Sequence, residues 1–288
     1  MHPDMEMIRC AMIRGWTSKG IFLHQNQLPA EPALRDKVIQ AIFGSPDLRQ
    51  IDGLGGADPL TSKCAIVKPS SRADADVEYT FAQVGIDRDI VDYGGNCGNI
   101  SAGVGPFAID EGLVEAREPV TTVRIWQTNS RKLLVAEVPV KNGMACADGD
   151  FVIDGVPGTG ARITMDFSDT VGSTTGALLP TGNAVDTMIV DGVSYPVSIV
   201  DAGIPVVFIA AESLGLRGVE SAAEIDARPE LLTLIEAIRG AAAVAYGAAL
   251  TPGEATEKSP YSPFFAIVGT PAAYATPGGK KIGEDDVD

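Results

Sequence analysis

The stretch Tyr93-Gly94-Gly95-Asn96-Cys97-Gly98-Asn99-Ile100-Ser101 runs straight into the apolar segment Ile100 to Ile109. A glycine-bounded elbow followed by Ile, Val, Phe and Ala predicts a loop that enters a short buried helix. Cys97 then sits where the helix begins, at the positive end of its dipole, which favours a thiolate. The backbone N–H groups around it lack helical partners and suit a carboxylate or a developing oxyanion. A buried cysteine in an ordinary elbow has the same spacing. Spacing alone leaves both readings open.

Upstream of the elbow the pattern is strand-like. Val77 to Val84 places Val77, Tyr79 and Phe81 on one face, and Cys64-Ala65-Ile66-Val67 is a short apolar run. Ile8 to Ile13 and Ile21-Phe22-Leu23-His24 flank the polar loop Arg14 to Gly20, which predicts strand, turn, strand. Between these, Pro32 to Phe43 has helical spacing at Leu34, Val38, Ile39 and Ile42, with Gly44 as its C-cap. From Val120 the chain turns β-rich, with strands expected at Thr122–Trp126, Lys132–Val138 and Ala161–Phe167. Pro180-Thr181-Gly182-Asn183 interrupts and marks the expected domain boundary, giving domains 1–183 and 184–288. The second carries strand candidates at Thr187–Val190, Ser198–Val200 and Val206–Ile209, and a helix over Pro229 to Ala249. With no βαβ regularity, the predicted class is α+β with mixed, largely antiparallel sheets.

Composition bounds the function. The 288 residues include 32 glycines and 19 prolines, well above average usage, which argues against a helical bundle. Hydrophobic residues make up 45% and mean hydropathy is +0.13, enough for a sizeable core. A net charge of −16 argues against nucleic acid or an anionic membrane as a general partner. A local basic pocket can still hold a small anion. No apolar run approaches the ~18 residues of a membrane span, and the N-terminus has no signal-peptide pattern, so a soluble cytoplasmic protein is expected. Cys10, Cys64, Cys97 and Cys146 form no CxxC, and His2 and His24 give no zinc spacing, so neither a disulfide framework nor a metal is expected.

Two further loops carry candidate chemistry. In Asp52-Gly53-Leu54-Gly55-Gly56-Ala57-Asp58-Pro59-Leu60-Thr61-Ser62-Lys63, the lysine stands where a polar loop meets the apolar run at Cys64. A partly desolvated lysine gives up its proton more readily. Work as a base near neutrality needs a drop of about three units from ~10.4. A lysine capping a surface turn is the alternative. In the Arg14 to Gly20 loop, Arg14 and Lys19 supply positive charge, and Thr17 and Ser18 supply hydroxyls beside backbone donors, a mixture suited to carboxylates. A solvated hairpin tip is the alternative there. Gly155-Val156-Pro157-Gly158-Thr159-Gly160 reads as a β-turn, because Pro157 and the lack of a following helix exclude a phosphate loop. His24 reads as a packing residue, and Asp201-Ala202-Gly203-Ile204-Pro205 as a turn.

Taken in order, these loops resemble the PrpF family, a group of isomerases that includes 2-methylaconitate cis–trans isomerase, 3-methylitaconate isomerase and 4-oxalomesaconate tautomerase or isomerase. The likeness rests on Arg14 to Gly20, Ile51 to Gly56 with Thr61-Ser62-Lys63, and Gly95-Asn96-Cys97-Gly98-Asn99. It extends through Gly105-Pro106-Phe107-Ala108-Ile109, Leu179 to Asn183 and Asp201-Ala202-Gly203. Ser45 to Lys63 and Asp92 to Leu113 look most like the 4-oxalomesaconate enzymes. The resemblance implies a diaminopimelate-epimerase-like fold, two similar domains each a curled mixed sheet around a helix, with the active site in the cleft between them. It implies Lys63 and Cys97 as the catalytic acid–base pair, and no metal or organic cofactor. It also implies that substrate carboxylates are held by Thr17, Ser18 and the backbone from Asn96 through Gly98 to Asn99, beside the charges of Arg14 and Lys19. The expected reaction is a proton shift in an unsaturated tricarboxylate, 4-oxalomesaconate first. A 2-methylaconitate or itaconate-type substrate, or a non-catalytic carboxylate-binding protein, is the alternative, and a homodimer is compatible.

Three departures stand out. Trp16 occupies a position where the family usually has a second glycine, so a reshaped loop or a partly filled pocket is expected. Cys64 replaces a small aliphatic residue. Similar proteins continue past the point matching Asp288, so an incomplete second domain is expected, with Gly283 to Asp288 as the acidic start of a further helix.

Overall fold

The computed structural model describes residues 6–259, 262–275 and 279–284, which form two units, Met1–Thr170 and Val171–Asp288. In the first, β1 (Ala11–Gly15) and β2 (Ser18–His24) pair antiparallel with Gly15 opposite Ser18. Only Trp16 and Thr17 are left to turn. The loop expected over Arg14 to Gly20 is therefore mostly strand, because a two-residue turn already matches the twist of the strands it joins. After α1 (Pro32–Phe43) come β3 (Lys63–Pro69), β4 (Val77–Val84) and β5 (Val91–Asp92). Then follow α2 (Gly98–Ser101), α3 (Val104–Asp110), β6 (Val120–Gln127), β7 (Lys132–Lys141), β8 (Met144–Ala145) and β9 (Thr164–Asp166). They make one mixed sheet in the order β1-β2-β3-β4-β6-β7-β8, with β5 added to β4 and β9 to β7.

Strand alternation sorts the side chains onto two faces. Phe22, Ala65, Val67, Tyr79, Phe81, Val123, Ile125, Leu134, Ala136 and Val138 enclose α2 and α3. Ile21, Leu23, Cys64, Ile66, Ala82 and Val84 pack on the other side against Ile39 and Phe43 of α1. That helix spans the residues its spacing predicts. Glu31 caps its start by accepting from Ala33 and Leu34 N–H at 3.0 and 2.7 Å, and Gly44 closes it at φ 72°. The single helix expected over Ile100 to Ile109 is split in two. A continuous helix would need an N–H from Pro106 to Ala102, which proline lacks. In a helix restarting at Val104 the same proline sits in the first turn, where its missing N–H costs nothing. Gly105 lets α3 lie against the sheet, since a Cβ there would be 2.7 Å from Val138 Cγ2.

The second unit holds β10 (Asp186–Val190), β11 (Val193–Asp201), β12 (Pro205–Ala210) and β13 (Phe264–Val268) in that spatial order, β13 parallel to β12 and the rest antiparallel. Helices α4 (Ala222–Asp226), α5 (Pro229–Ala245) and α6 (Pro252–Lys258) connect β12 to β13. Ile238 and Ala242 of α5 pack on Val197, Ile199, Val207 and Ile209. This helix ends at Ala245, short of the expected Ala249, because the chain turns through Gly247 at φ 83°. A ribbon of β14 (Tyr274–Ala275) and β15 (Lys281–Ile282) follows. The division between the units lies ahead of the Pro180 to Asn183 interruption. Residues after 170 join the second unit, with Gly172 N–H donating to Asp201 O and Asp201 N–H to Leu178 O, each at 2.8 Å. Of the expected helix start at Gly283 to Asp288, residues 285–288 lie outside the described residues. The class is α+β, as predicted. Among the described residues no helix is long and apolar enough to cross a membrane.

Candidate active site

The lysine loop is organised around a buried amide. Gln50 accepts from Ala57 N–H at 2.8 Å and from Ser62 Oγ at 2.9 Å, and its own nitrogen donates to Ser45 Oγ at 2.9 Å. Gly55 lies so close that a Cβ would stand 2.1 Å from Gln50 Oε1. Asp58 caps the short turn that follows, accepting from Leu60 N–H at 2.7 Å. The chain is thus delivered to β3 at Lys63, which pairs with Gly20 of β2 on one side and Gln83 of β4 on the other. Lys63 is only 8% exposed. Its Nζ donates to Gln83 Oε1 at 3.0 Å and lies 5.3 Å from the Phe81 ring centre. It is a buried lysine and not the surface turn cap that its junction equally allowed.

The elbow is pinned at its entry. Asp92 Oδ1 accepts from Gly94 N–H at 2.7 Å, Tyr93 OH donates to Asp36 at 2.5 Å, and Asn129 Nδ2 donates to Tyr93 O at 2.9 Å. Asn96 precedes Cys97, which is the N-cap of α2 and makes no side-chain capping bond. Cys97 is 9% exposed and packs in the apolar cluster that contains Phe81, the residue beneath the Lys63 ammonium. The two expected acid–base residues therefore share one face of the sheet. Ser101 Oγ donates to Cys97 O at 2.8 Å. Nearby, burial and then the proximity of Cys97 push the Tyr79 hydroxyl well above its usual value of 10. With α2 only four residues long, the dipole at Cys97 is that of a single turn.

The hairpin tip meets the head of α2 directly. Asn99 Nδ2 donates to Thr17 Oγ1 at 2.9 Å and to Ser18 Oγ at 3.2 Å. Gly98 opens α2, where a Cβ would be 3.8 Å from the Phe167 ring. Thr17, Ser18 and Asn99 form one polar cluster beside Cys97. Arg14 and Lys19 stand outside it: as cross-strand partners one step along the ladder from Gly15 and Ser18, they belong to the opposite face of the hairpin. Arg14 folds back to donate to Trp16 O at 2.7 Å, and Lys19 Nζ lies beside Gly56. Trp16 holds φ 47° with a 55% exposed side chain. The other thiols differ in kind. Cys64 points to the α1 face, where burial pushes its thiol up to about 12, and Cys10 is exposed.

Reading the sequence overlooked both glutamines. Gln83 continues the Tyr79, Phe81 face of β4, so a polar side chain on an otherwise apolar buried row was the available signal. Gln50 gave none, since its role depends on a loop closing over it.

The profile of the PrpF protein family matches residues 5–288. The 3-methylitaconate isomerase of Eubacterium barkeri is 55% identical over 286 residues, covering 99% of this chain and 75% of its own. The 4-oxalomesaconate tautomerase of Pseudomonas putida is 52% identical over 232 residues, 81% of this chain and 63% of its own. The 2-methyl-aconitate isomerase of Shewanella oneidensis is 39% identical over 302 aligned residues, 100% of this chain and 76% of its own. The crystal structure of a methylitaconate-delta-isomerase superposes with a TM-score of 0.82 at 55% identity, covering 98% of this chain and 73% of that one.

Proposed function

The chain belongs to the PrpF family and is an isomerase, and on that premise we propose that it shifts a proton along the three-carbon allylic unit of a small unsaturated di- or tricarboxylate. The observation that carries this reading is the placement of Lys63 and Cys97 on one face of one sheet, the lysine buried against an aromatic ring and an uncharged acceptor.

The chemistry needs one base and one acid. A proton leaves the sp3 carbon alpha to a carboxylate. The released electron pair forms a new double bond, the old one shifts, and a proton arrives at the far carbon. Lys63 and Cys97 divide these two roles, and exchange with water resets them. The developing charge spreads into the substrate carboxylate, and the N–H groups at the head of α2 stabilise it. Thr17, Ser18 and Asn99 hold the carboxylates beside the thiol. No part of this proton shift calls for a redox or electrophilic cofactor.

Among substrates, 3-methylitaconate comes first. The likeness to the Eubacterium enzyme runs over 99% of this chain, against 81% for the tautomerase, which supports it ahead of 4-oxalomesaconate. The test is proton NMR in D2O with both acids and 2-methylaconitate. Migration of the double bond with deuterium uptake in one of them identifies the substrate. A folded chain that binds a carboxylate without exchanging its protons would be a binder, and the proposal would fail.

A further inference from the structure

We propose that Gln83 is the positioning residue of the site: its side-chain oxygen holds Lys63 Nζ in place as an uncharged acceptor. This rests on the reading of Lys63 as a proton-transfer group.

The amide of Gln83 has one available orientation. Its Nε2 donates to two backbone carbonyls, Ser62 O at 2.9 Å and Pro59 O at 3.2 Å. Carbonyls only accept, so turning the amide over would set its oxygen against two others and abandon both bonds. Oε1 therefore faces Lys63, at 3.0 Å. Both carbonyls lie in the segment that leads into β3, and Ser62 O also accepts from Val84 N–H at 3.0 Å. One side chain thus fixes the approach to Lys63 and the end of its side chain together.

The neutrality of this acceptor matters as much as its position. A carboxylate in contact would hold the ammonium by a charge-assisted bond and oppose proton release. Among the described residues Lys63 forms no ion pair. The groups facing it explain why. Gly20 on β2 has no side chain, and β4 contributes Gln83 and the Phe81 ring. Across the next ladder Asp92 of β5 is the register partner of Gln83. Its carboxylate is turned to Gly94 N–H, so the row Gly20, Lys63, Gln83, Asp92 crosses four strands with the amide separating ammonium from carboxylate. Asp58 is occupied with Leu60 N–H, Lys19 belongs to the opposite face of the hairpin, and the apolar cluster on this side holds the titratable groups Cys97 and Tyr79, neither of them a carboxylate.

The experiment is acetic anhydride labelling of Lys63 against pH, read by mass spectrometry on the full chain, which needs no substrate. In Gln83→Glu the midpoint of Lys63 labelling moves up by about one pH unit or more, and in Gln83→Met, which keeps length but offers no oxygen, it moves down. In the unaltered protein the side-chain 15N resonance of Gln83 shifts with the Lys63 labelling midpoint, a readout that survives misfolding of either variant. With Lys63 as the base, Gln83→Glu lowers kcat/KM about tenfold at neutral pH on the substrate identified by NMR and recovers part of it at higher pH. A Gln83 resonance that does not move through the Lys63 midpoint, or midpoints unchanged in both folded variants, overturns the proposal. Because labelling reports Lys63 without turnover, failure of the isomerase reading would appear separately, as absent exchange with an intact Gln83 response.

Discussion

The backbone of Gly15 rests against the carbonyl oxygen of Asn99, so closely that a Cβ built on Gly15 would lie 2.2 Å from it. Together with the bonds from Asn99 Nδ2 to Thr17 and Ser18, this contact joins the β1–β2 turn to the head of α2. Both touching groups are backbone, so no flexible side chain can give way. Gly15→Ala is expected to cost about 1–3 kcal/mol by overpacking and to remove turnover by driving the polar cluster away from Cys97. Urea denaturation and the NMR assay measure the two effects, and unchanged activity would detach the hairpin from the site.

Lys63→Ala and Cys97→Ala are each expected to reduce turnover by about 10²–10⁴-fold, the usual contribution of a positioned acid or base. Cys97 lies in an apolar cluster and makes no side-chain capping bond, so its replacement by alanine should leave the circular dichroism spectrum unchanged. Near-normal rates in either variant would remove that residue from the mechanism.

Much of this was legible in the residues. Period-two alternation placed β4 and the faces of the sheet, and the pattern from Pro32 to Gly44 placed α1 with both ends. Lys63 and Cys97 stood out because each marks a junction, loop to strand and loop to helix. What could not be read depended on partners distant in sequence. The opposite-face placement of Arg14 and Lys19 follows from a turn only two residues long, which a polar loop of seven concealed. The orientation of Gln83 follows from carbonyls more than twenty positions upstream, at Pro59 and Ser62.

Trp16 adopts φ 47°, a left-handed backbone conformation that costs an L-residue roughly 1–2 kcal/mol and glycine almost nothing. Its carbonyl, the only part held by Arg14, survives substitution. Trp16→Gly is therefore expected to raise stability by up to about 1 kcal/mol, the larger unfolded-state entropy of glycine offsetting the remainder. A thermal melt checks this, and a lower Tm would mean that the exposed indole contributes packing.

Cys64 offers a test of burial. Its thiol is pushed up to about 12 by desolvation, and it faces α1 away from Lys63. Iodoacetamide at pH 8 should leave Cys64 unmodified in the folded protein and label it fully in denaturant. Labelling at native pH without loss of structure would show that the α1 face opens.

Glu220 gives the clearest pH dependence. Its carboxylate accepts from the N–H groups of Arg217, Gly218 and Val219 at 3.0, 2.9 and 3.2 Å. Led by the Arg217 N–H, these bonds hold its pKa at about 2, below the ordinary 4.5. A depressed acid stabilises the fold wherever the unfolded group is ionised, so the contribution is complete above about pH 4.5 and disappears as pH falls toward 2. In Glu220→Gln the amide cannot replace the charge. The stability gap between the two proteins should therefore be constant from pH 7 to 5 and shrink steadily below 4.5. Denaturation of both proteins across that range measures the gap directly. A gap independent of pH would mean that the three N–H groups are satisfied by the shape of the turn rather than by its charge.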